Sequence, residues 1–186
     1  IDTWCPTVEM LHVPMEKACR ERGDTMWWYI CCSPREAPIG EHIDHPGVDM
    51  RLWPWQAWGE KITGMLVWAS EWWTAKAGYP DPAHPQDPYL DPMGWNKKFN
   101  PNRNVASWCN GERSYFYPPL ACKDAQQSET CYDPPVSCIR LELLRDGIED
   151  YEYLAMLSRQ AGDHELLKVP ESIYRTLFDY SKDPRG

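Results

Sequence analysis

The run Met26-Trp-Trp-Tyr-Ile-Cys-Cys32 constrains the fold of this chain more than any other segment. Seven consecutive apolar residues lie between Gly23-Asp24 and Ser33-Pro34, which is strand length rather than helix length. The lack of alternation predicts a strand buried on both faces, the pattern of a parallel sheet covered by helices. A shorter run, Ile1 to Cys5 closed by Pro6, precedes it, and Ile62-Thr-Gly-Met-Leu-Val-Trp-Ala69 follows it. Between these runs, Thr7 to Arg22 has helix-forming composition stopped by Gly23, and Val48 to Trp58 reads as a crossover helix. Pro54 is expected to end or kink that second helix near Trp53, because it lacks the backbone donor and clashes with the preceding turn. Strand, helix, strand, helix, strand with short connections predicts an α/β protein.

From Tyr79 to Pro135 this order breaks. Pro80, Pro82, Pro85, Pro88, Pro92 and Pro101 exclude a long helix or a central strand, so the stretch reads as a long surface excursion, functional or disordered rather than a neutral spacer. Ser137 is then placed to cap a helix running to about Gln160, where Ala161-Gly162 stops it, and a further helix is predicted from about Pro170 to Tyr180. The organisation expected is one domain over 1–186: strand and helix units in 1–78, the Pro-rich loop in 79–135, and C-terminal helices in 136–186. Ile1-Asp-Thr-Trp-Cys-Pro6 enters as a strand with no initiator Met or signal peptide before it, so the chain is expected to be a fragment.

Charge narrows the partners. With 28 acidic against 19 basic residues, a net of −9 and no Lys/Arg-rich stripe, a nucleic-acid backbone is not an expected partner. No apolar run reaches the roughly 18 residues that would predict a bilayer-spanning helix. The aromatic content is 11 Trp and 10 Tyr against 3 Phe, so most of these side chains carry a polar handle beside a flat apolar face, which suits a sugar ring as well as an ordinary core. Among the 8 Cys the only close pair is the vicinal Cys31-Cys32, with no Cys-x-x-Cys, so a structural zinc site is not predicted. Cys109, Cys122, Cys131 and Cys138 fall in the irregular later half, where a disulfide would stabilise most; this tilts the reading toward a secreted or periplasmic protein, the alternative being buried reduced thiols.

Several segments now combine. Asp2-Thr-Trp4, Trp27-Trp-Tyr29, Ile43-Asp-His-Pro46 with Arg51, Gly64-Met-Leu-Val-Trp68, Asn110-Gly-Glu-Arg-Ser-Tyr-Phe-Tyr-Pro118 and Arg140 to Leu154 together resemble the catalytic domain of glycoside hydrolase family 123, and the order matches throughout. The most specific element is Arg145-Asp-Gly-Ile-Glu-Asp-Tyr-Glu-Tyr-Leu154. The resemblance implies the C-terminal part of a (β/α)8 TIM-type barrel, of which these are the last three strands. It implies removal of β-linked N-acetylgalactosamine, the substrate's own acetamido oxygen attacking C1. In that chemistry an Asp orients the acetamide while an adjacent Glu donates the proton and later activates water. No Asp-Glu dipeptide occurs in this sequence, so no residue is assigned to the catalytic pair and no cofactor is implied.

Active sites of such barrels lie at the carboxyl ends of the strands. The candidates there are Trp4, Tyr29, Cys32, Trp68, Glu71, Trp72 and Trp73. An indole can stack on the C–H face of a pyranose while its N–H bonds a hydroxyl, the case being strongest for Trp68 and Trp72. The plainer alternative is that Trp27, Trp28 and Trp68 fill the core. Glu71, two residues past the third run, is a weak candidate acid or hydroxyl acceptor, against an ordinary solvated or ion-paired role. Glu41, His42, Asp44 and His45 are ligand-type residues on a polar loop, with no helix to align them, so a metal is not predicted. Glu149 and Asp150 point about 100° apart on a helix and read as structural. Some of Trp95, Trp108, Tyr115 and Tyr117 are expected to fold back over the barrel mouth beside Trp72 and Trp73, with Cys122 and Cys131 bridged. The partner expected is a carbohydrate, with self-association or docking onto a missing N-terminal part of the barrel to cover the open strand edges. The rival readings are a non-catalytic carbohydrate-binding module and a structural half-barrel.

Overall fold

The computed structural model describes residues 1–11, 13–30, 39–71, 89, 93–95, 108–111, 114–119, 133–162 and 167–183. These fall into two compact units, residues 1–40 with 46–67 and 143–186, and residues 41–45 with 68–142.

The first unit carries the parallel sheet. Strand β1 (Thr3–Trp4), a 3-10 turn (Val8–Met10), α1 (Val13–Glu21), β2 (Thr25–Tyr29), α2 (Val48–Gly59) and β3 (Gly64–Leu66) follow in the predicted order. The sheet order is β1-β2-β3, both pairs parallel, with Thr3 opposite Thr25 and Trp28 opposite Met65. The first helix is shorter than its composition indicates, and Pro14 sits in its opening turn, where no intrahelical donor is required.

Burial along β2 corrects one expectation. Met26 and Trp28 are buried, but Thr25 and Trp27 are exposed, Trp27 by 41%. Only one face of this strand is therefore covered within the described residues. Trp27 lies across its register partner Gly64, where any Cβ would meet the indole at 2.4 Å, so it covers its neighbour strand instead of filling a core.

Pro54 neither ends nor interrupts α2, which continues to Gly59. An internal proline costs a helix about 3 kcal/mol. Burial of Leu52, Trp53, Ala57 and Trp58 offsets it, at about 1.5–3 kcal/mol for each large apolar side chain. The helix exists because it is packed on both sides.

Helix α3 (Ile139–Ala161) begins one residue later than the capping expectation. Ser137 belongs to β7 (Val136–Ser137), and Cys138 occupies the cap, its carbonyl accepting from Leu141 and Glu142. Gly162, at φ 71°, ends the helix as predicted. From Leu143 onward α3 belongs to the first unit and docks on α2 through the sequence Arg145 to Leu154. Gly147 sits so close that a Cβ would lie 2.4 Å from the Arg51 carbonyl oxygen and 3.0 Å from Pro54 Cγ. One turn on, Asp150 accepts from Arg51 Nε at 2.8 Å and from Trp55 Nε1 at 2.9 Å. Tyr151 donates to the Ile62 carbonyl at 3.0 Å and meets Trp58 edge to face. Burial would by itself raise the Asp150 carboxyl, but the Arg51 and Trp55 donors hold it below the usual carboxylate range. The stretch that carried the resemblance is thus a helix-docking device.

The predicted helix from Pro170 to Tyr180 is instead a hairpin, β8 (Tyr174–Thr176) and β9 (Asp179–Tyr180). Arg175 pairs with Glu171 and Asp179 at helix-like spacing, which is why the composition misleads. Thr176 Oγ1 accepts from the Phe178 and Asp179 amides and fixes the turn, while Tyr174 and Leu177 are buried.

In the second unit, β4 (Met93–Trp95) pairs antiparallel with β5 (Trp108–Asn110), and β6 (Phe116–Tyr117) with β7.

Candidate functional site

The second unit assembles three separated sequence segments around one guanidinium. Arg140, 5% exposed in the first turn of α3, donates through Nη1 to the carbonyls of Glu41 and Gly111, both at 2.7 Å, and through Nη2 to that of Ser114 at 2.7 Å. Its planar fork suits three diverging carbonyls in a way a lysine point charge does not. Gly111 is required here twice over: its φ is 73°, and a Cβ would lie 2.7 Å from both Arg140 Nη2 and Ile43 Cγ1. Beneath the guanidinium, 5.1 Å from it, lies the ring of Tyr115, whose hydroxyl donates to Glu41 Oε2 at 2.5 Å. Both residues are 1% exposed. Burial first, then the Glu41 charge, pushes the Tyr115 hydroxyl far up, so it remains a donor at any physiological pH. His42, 5% exposed, stacks on His45 with centroids 4.9 Å apart.

This cluster is tied to the exit of the third parallel strand. The amides of Tyr115 and Phe116 both donate to the Ser70 carbonyl at 2.8 Å, and Glu71 bridges antiparallel to Ser114. The exit itself, Trp68-Ala-Ser-Glu71, presents an indole that is 52% exposed and an exposed carboxylate that accepts from Ser70 Oγ. The buried network thus holds the backbone of the segment that bears Trp68 and Glu71, the kind of rigid backing a binding site requires.

The other sequence candidates are placed as follows. Trp4, in the first unit, is half-buried and already donates to Asp24 Oδ2 at 3.0 Å. Tyr29 is half-buried, its amide bonded to the Pro6 carbonyl at 3.1 Å. Cys32, Trp72, Trp73, Cys122 and Cys131, and the side chains of Trp95 and Trp108, lie outside the described residues. Cys5, Cys19 and Cys138 are free thiols. Tyr115 does reach the third-strand exit, but as a buried support rather than as a lid, while Tyr117 is half-buried against Tyr89 at 5.2 Å between centroids. Glu149 pairs with Arg145 at 3.7 Å on the surface. Among the described residues no group of three or more His, Cys, Asp or Glu is arranged to hold a metal.

What sequence reasoning missed is the convergence. Glu41, Tyr115 and Arg140 each lay in or beside a segment that carried the family resemblance, but nothing in local spacing connects residues 74 and 99 positions apart. Their discontinuity was the available signal.

Parallel strands joined by helices define an α/β protein. The comparisons make this specific. The sequence matches the glycoside hydrolase 123 catalytic domain over residues 2–157, and the chain belongs to that family. Its fold is similar to that of a family 123 glycoside hydrolase from Clostridium perfringens, described in terms of glycolipid glycan hydrolysis. The likeness has a TM-score of 0.55 at 18% identity and covers 87% of this chain and 23% of that one. The chain therefore spans about a quarter of the length of that relative. No curated protein matches the sequence.

Proposed function

We propose that this chain is the C-terminal part of a family 123 glycosidase barrel and that it supplies aromatic sugar-binding groups rather than the acid/base pair. The substrate class is a β-N-acetylhexosaminide, of N-acetylgalactosamine type, in the glycan of a glycolipid or a related conjugate. Trp68 is the principal stacking surface and Glu71 a hydroxyl acceptor, with Trp4, Tyr29, Trp72 and Trp73 as further strand-exit contacts. The Asp-Glu pair that would orient the acetamide and move the proton belongs to sequence outside this chain. The observation that carries the reading is the 52% exposed indole of Trp68 in the segment after β3, whose backbone at Ser70 and Glu71 is held by the buried polar network. An indole exposed to this extent offers a flat apolar face on which a sugar ring can stack.

The test uses the isolated chain with a chromogenic β-N-acetylgalactosaminide and with N-acetylgalactosamine in a titration calorimeter. Expected are no turnover and weak binding that Trp68→Ala abolishes, since a missing acid or base each removes about 10²–10⁴ in rate. Turnover that disappears in Glu71→Gln would overturn the assignment and make Glu71 the acid. Absence of any sugar binding would leave a structural half-barrel.

A further inference from the structure

A cavity of about 240 Å³ in the first unit lies between the end of β1, the 3-10 turn, α1 and β2, and its lining is chemically unusual. Five of its nine lining residues carry sulfur: Cys5, Met10, Met15, Cys19 and Met26. The whole chain of 186 residues holds 8 Cys and 7 Met, so an average patch of nine would contain fewer than one. The two thiols are unbridged. Met15 and Cys19 stand at i and i+4 on α1, which puts their side chains on the same helix face one turn apart. Met10 and Met15 are 72% and 53% exposed, so their thioethers are free to turn inward, and Met is the side chain best able to do so.

The hard donor in the same wall is already occupied. Glu16, 2% exposed, is ion-paired with Arg20, which leaves thiol and thioether as the accessible donor set. Arg22 Nη2 donates to Cys19 Sγ at 3.2 Å, fixing the sulfur of the buried ligand in place. Thiolate and thioether together select soft monovalent ions, above all Cu(I), whereas zinc takes thiolate, imidazole and carboxylate.

We propose that this cavity is a soft-metal site that takes one Cu(I) or Ag(I) ion on Cys5 and Cys19, with Met15 as a third ligand and Met10 closing over it. Each thiol that ligates gives its proton to solvent, so the charge of the site changes by the ion's +1 less the protons released. The site shares the wall residue Trp4 with the proposed sugar contacts but none of its ligands, so it stands or falls separately from them.

The experiment is an anaerobic titration of the reduced chain with Cu(I) against a chromogenic Cu(I) chelator, repeated on Cys5→Ser, Cys19→Ser and Met15→Leu. Six other cysteines are present, so the site is located by mass-spectrometric mapping of alkylated Cys5 with and without one equivalent of Ag(I). Expected are protection of Cys5 and an affinity loss in Cys5→Ser of at least the ~10–100-fold that even outer-shell partners of metal ligands contribute. Met15→Leu keeps the volume and the fold, read by circular dichroism, and should weaken binding without abolishing it. Met15→Leu and Cys5→Ser keep the test decisive if Cys19→Ser fails to fold. Unchanged affinity in Cys5→Ser, Ag(I) protection confined to Cys31-Cys32, or equal protection by Zn(II) would each overturn the proposal.

Discussion

Replacing Gly147 by Ala should destabilise the protein, although local helix propensity demands the opposite. Gly147 lies within α3, where alanine is favoured over glycine by about 1 kcal/mol. The added Cβ, however, would stand 2.4 Å from the Arg51 carbonyl oxygen and 3.0 Å from both Arg51 Cα and Pro54 Cγ, where ordinary contact begins at 3.4 Å. Two of those three atoms are backbone and the third is a proline ring, so no flexible side chain can give way. The helices must separate by about 1 Å. Overpacking of this kind costs about 1–3 kcal/mol. The separation also loosens the Arg51–Asp150 and Tyr151–Ile62 hydrogen bonds one turn on, the first a charged bond of the ~1.5–3 kcal/mol class and the second of the ~0.5–1.5 class. Even partial loss of these outweighs the propensity gain, and the net expectation is a loss of about 1–3 kcal/mol. Urea unfolding followed by far-UV circular dichroism measures it, and thermal melting should fall by about 2–4 °C per kcal/mol for a chain of this size. A Gly147→Ala variant that is more stable than the parent by about 1 kcal/mol would refute the close approach, because propensity would then be acting alone.

The remaining expectations follow from the same structure. Asp150→Asn should lower the urea midpoint at pH 7, and the gap between parent and variant should close as the pH drops: the folded carboxyl lies below its unfolded value, so its contribution is present above the unfolded pKa and is lost as pH falls through the folded one. A gap that widens in acid would contradict the pairing with Arg51. Arg140→Lys should leave the Glu41, Gly111 and Ser114 carbonyls without their buried donors at a cost of about 1–3 kcal/mol and loosen the loops they anchor, seen as faster amide hydrogen exchange over residues 114–117; exchange rates equal to the parent's would mean that the guanidinium does not hold these loops. The outer edges of β1 and β3 have no strand partner among the described residues, so the isolated chain should self-associate in light scattering. A monomer of 21.7 kDa at high concentration, melting cooperatively, would count against an open half-barrel.

By itself the sequence determined the order of the elements around the sheet. Three apolar runs of strand length separated by helix-forming segments leave little but a parallel α/β arrangement, because hydrophobic periodicity and Gly or Pro punctuation are local properties that a chain carries wherever it folds. The same local logic went wrong where long-range packing outweighs it. Pro54 remains inside α2 because Leu52, Trp53 and Trp58 are buried around it, Ser137 is drawn into β7 by pairing with Phe116, and residues 174–180 form a hairpin that buries Tyr174 and Leu177 despite ion pairs at helical spacing. Tertiary structure alone decided the candidate site. Glu41, Tyr115 and Arg140 are unremarkable residues at their own positions, and they become a buried network supporting the exit at Ser70 and Glu71 only when loops 74 and 99 residues apart are folded onto one another. Burial is what gives such a network its consequence: a polar group taken out of water must find its partner in the protein, and which partner it finds depends on the whole chain.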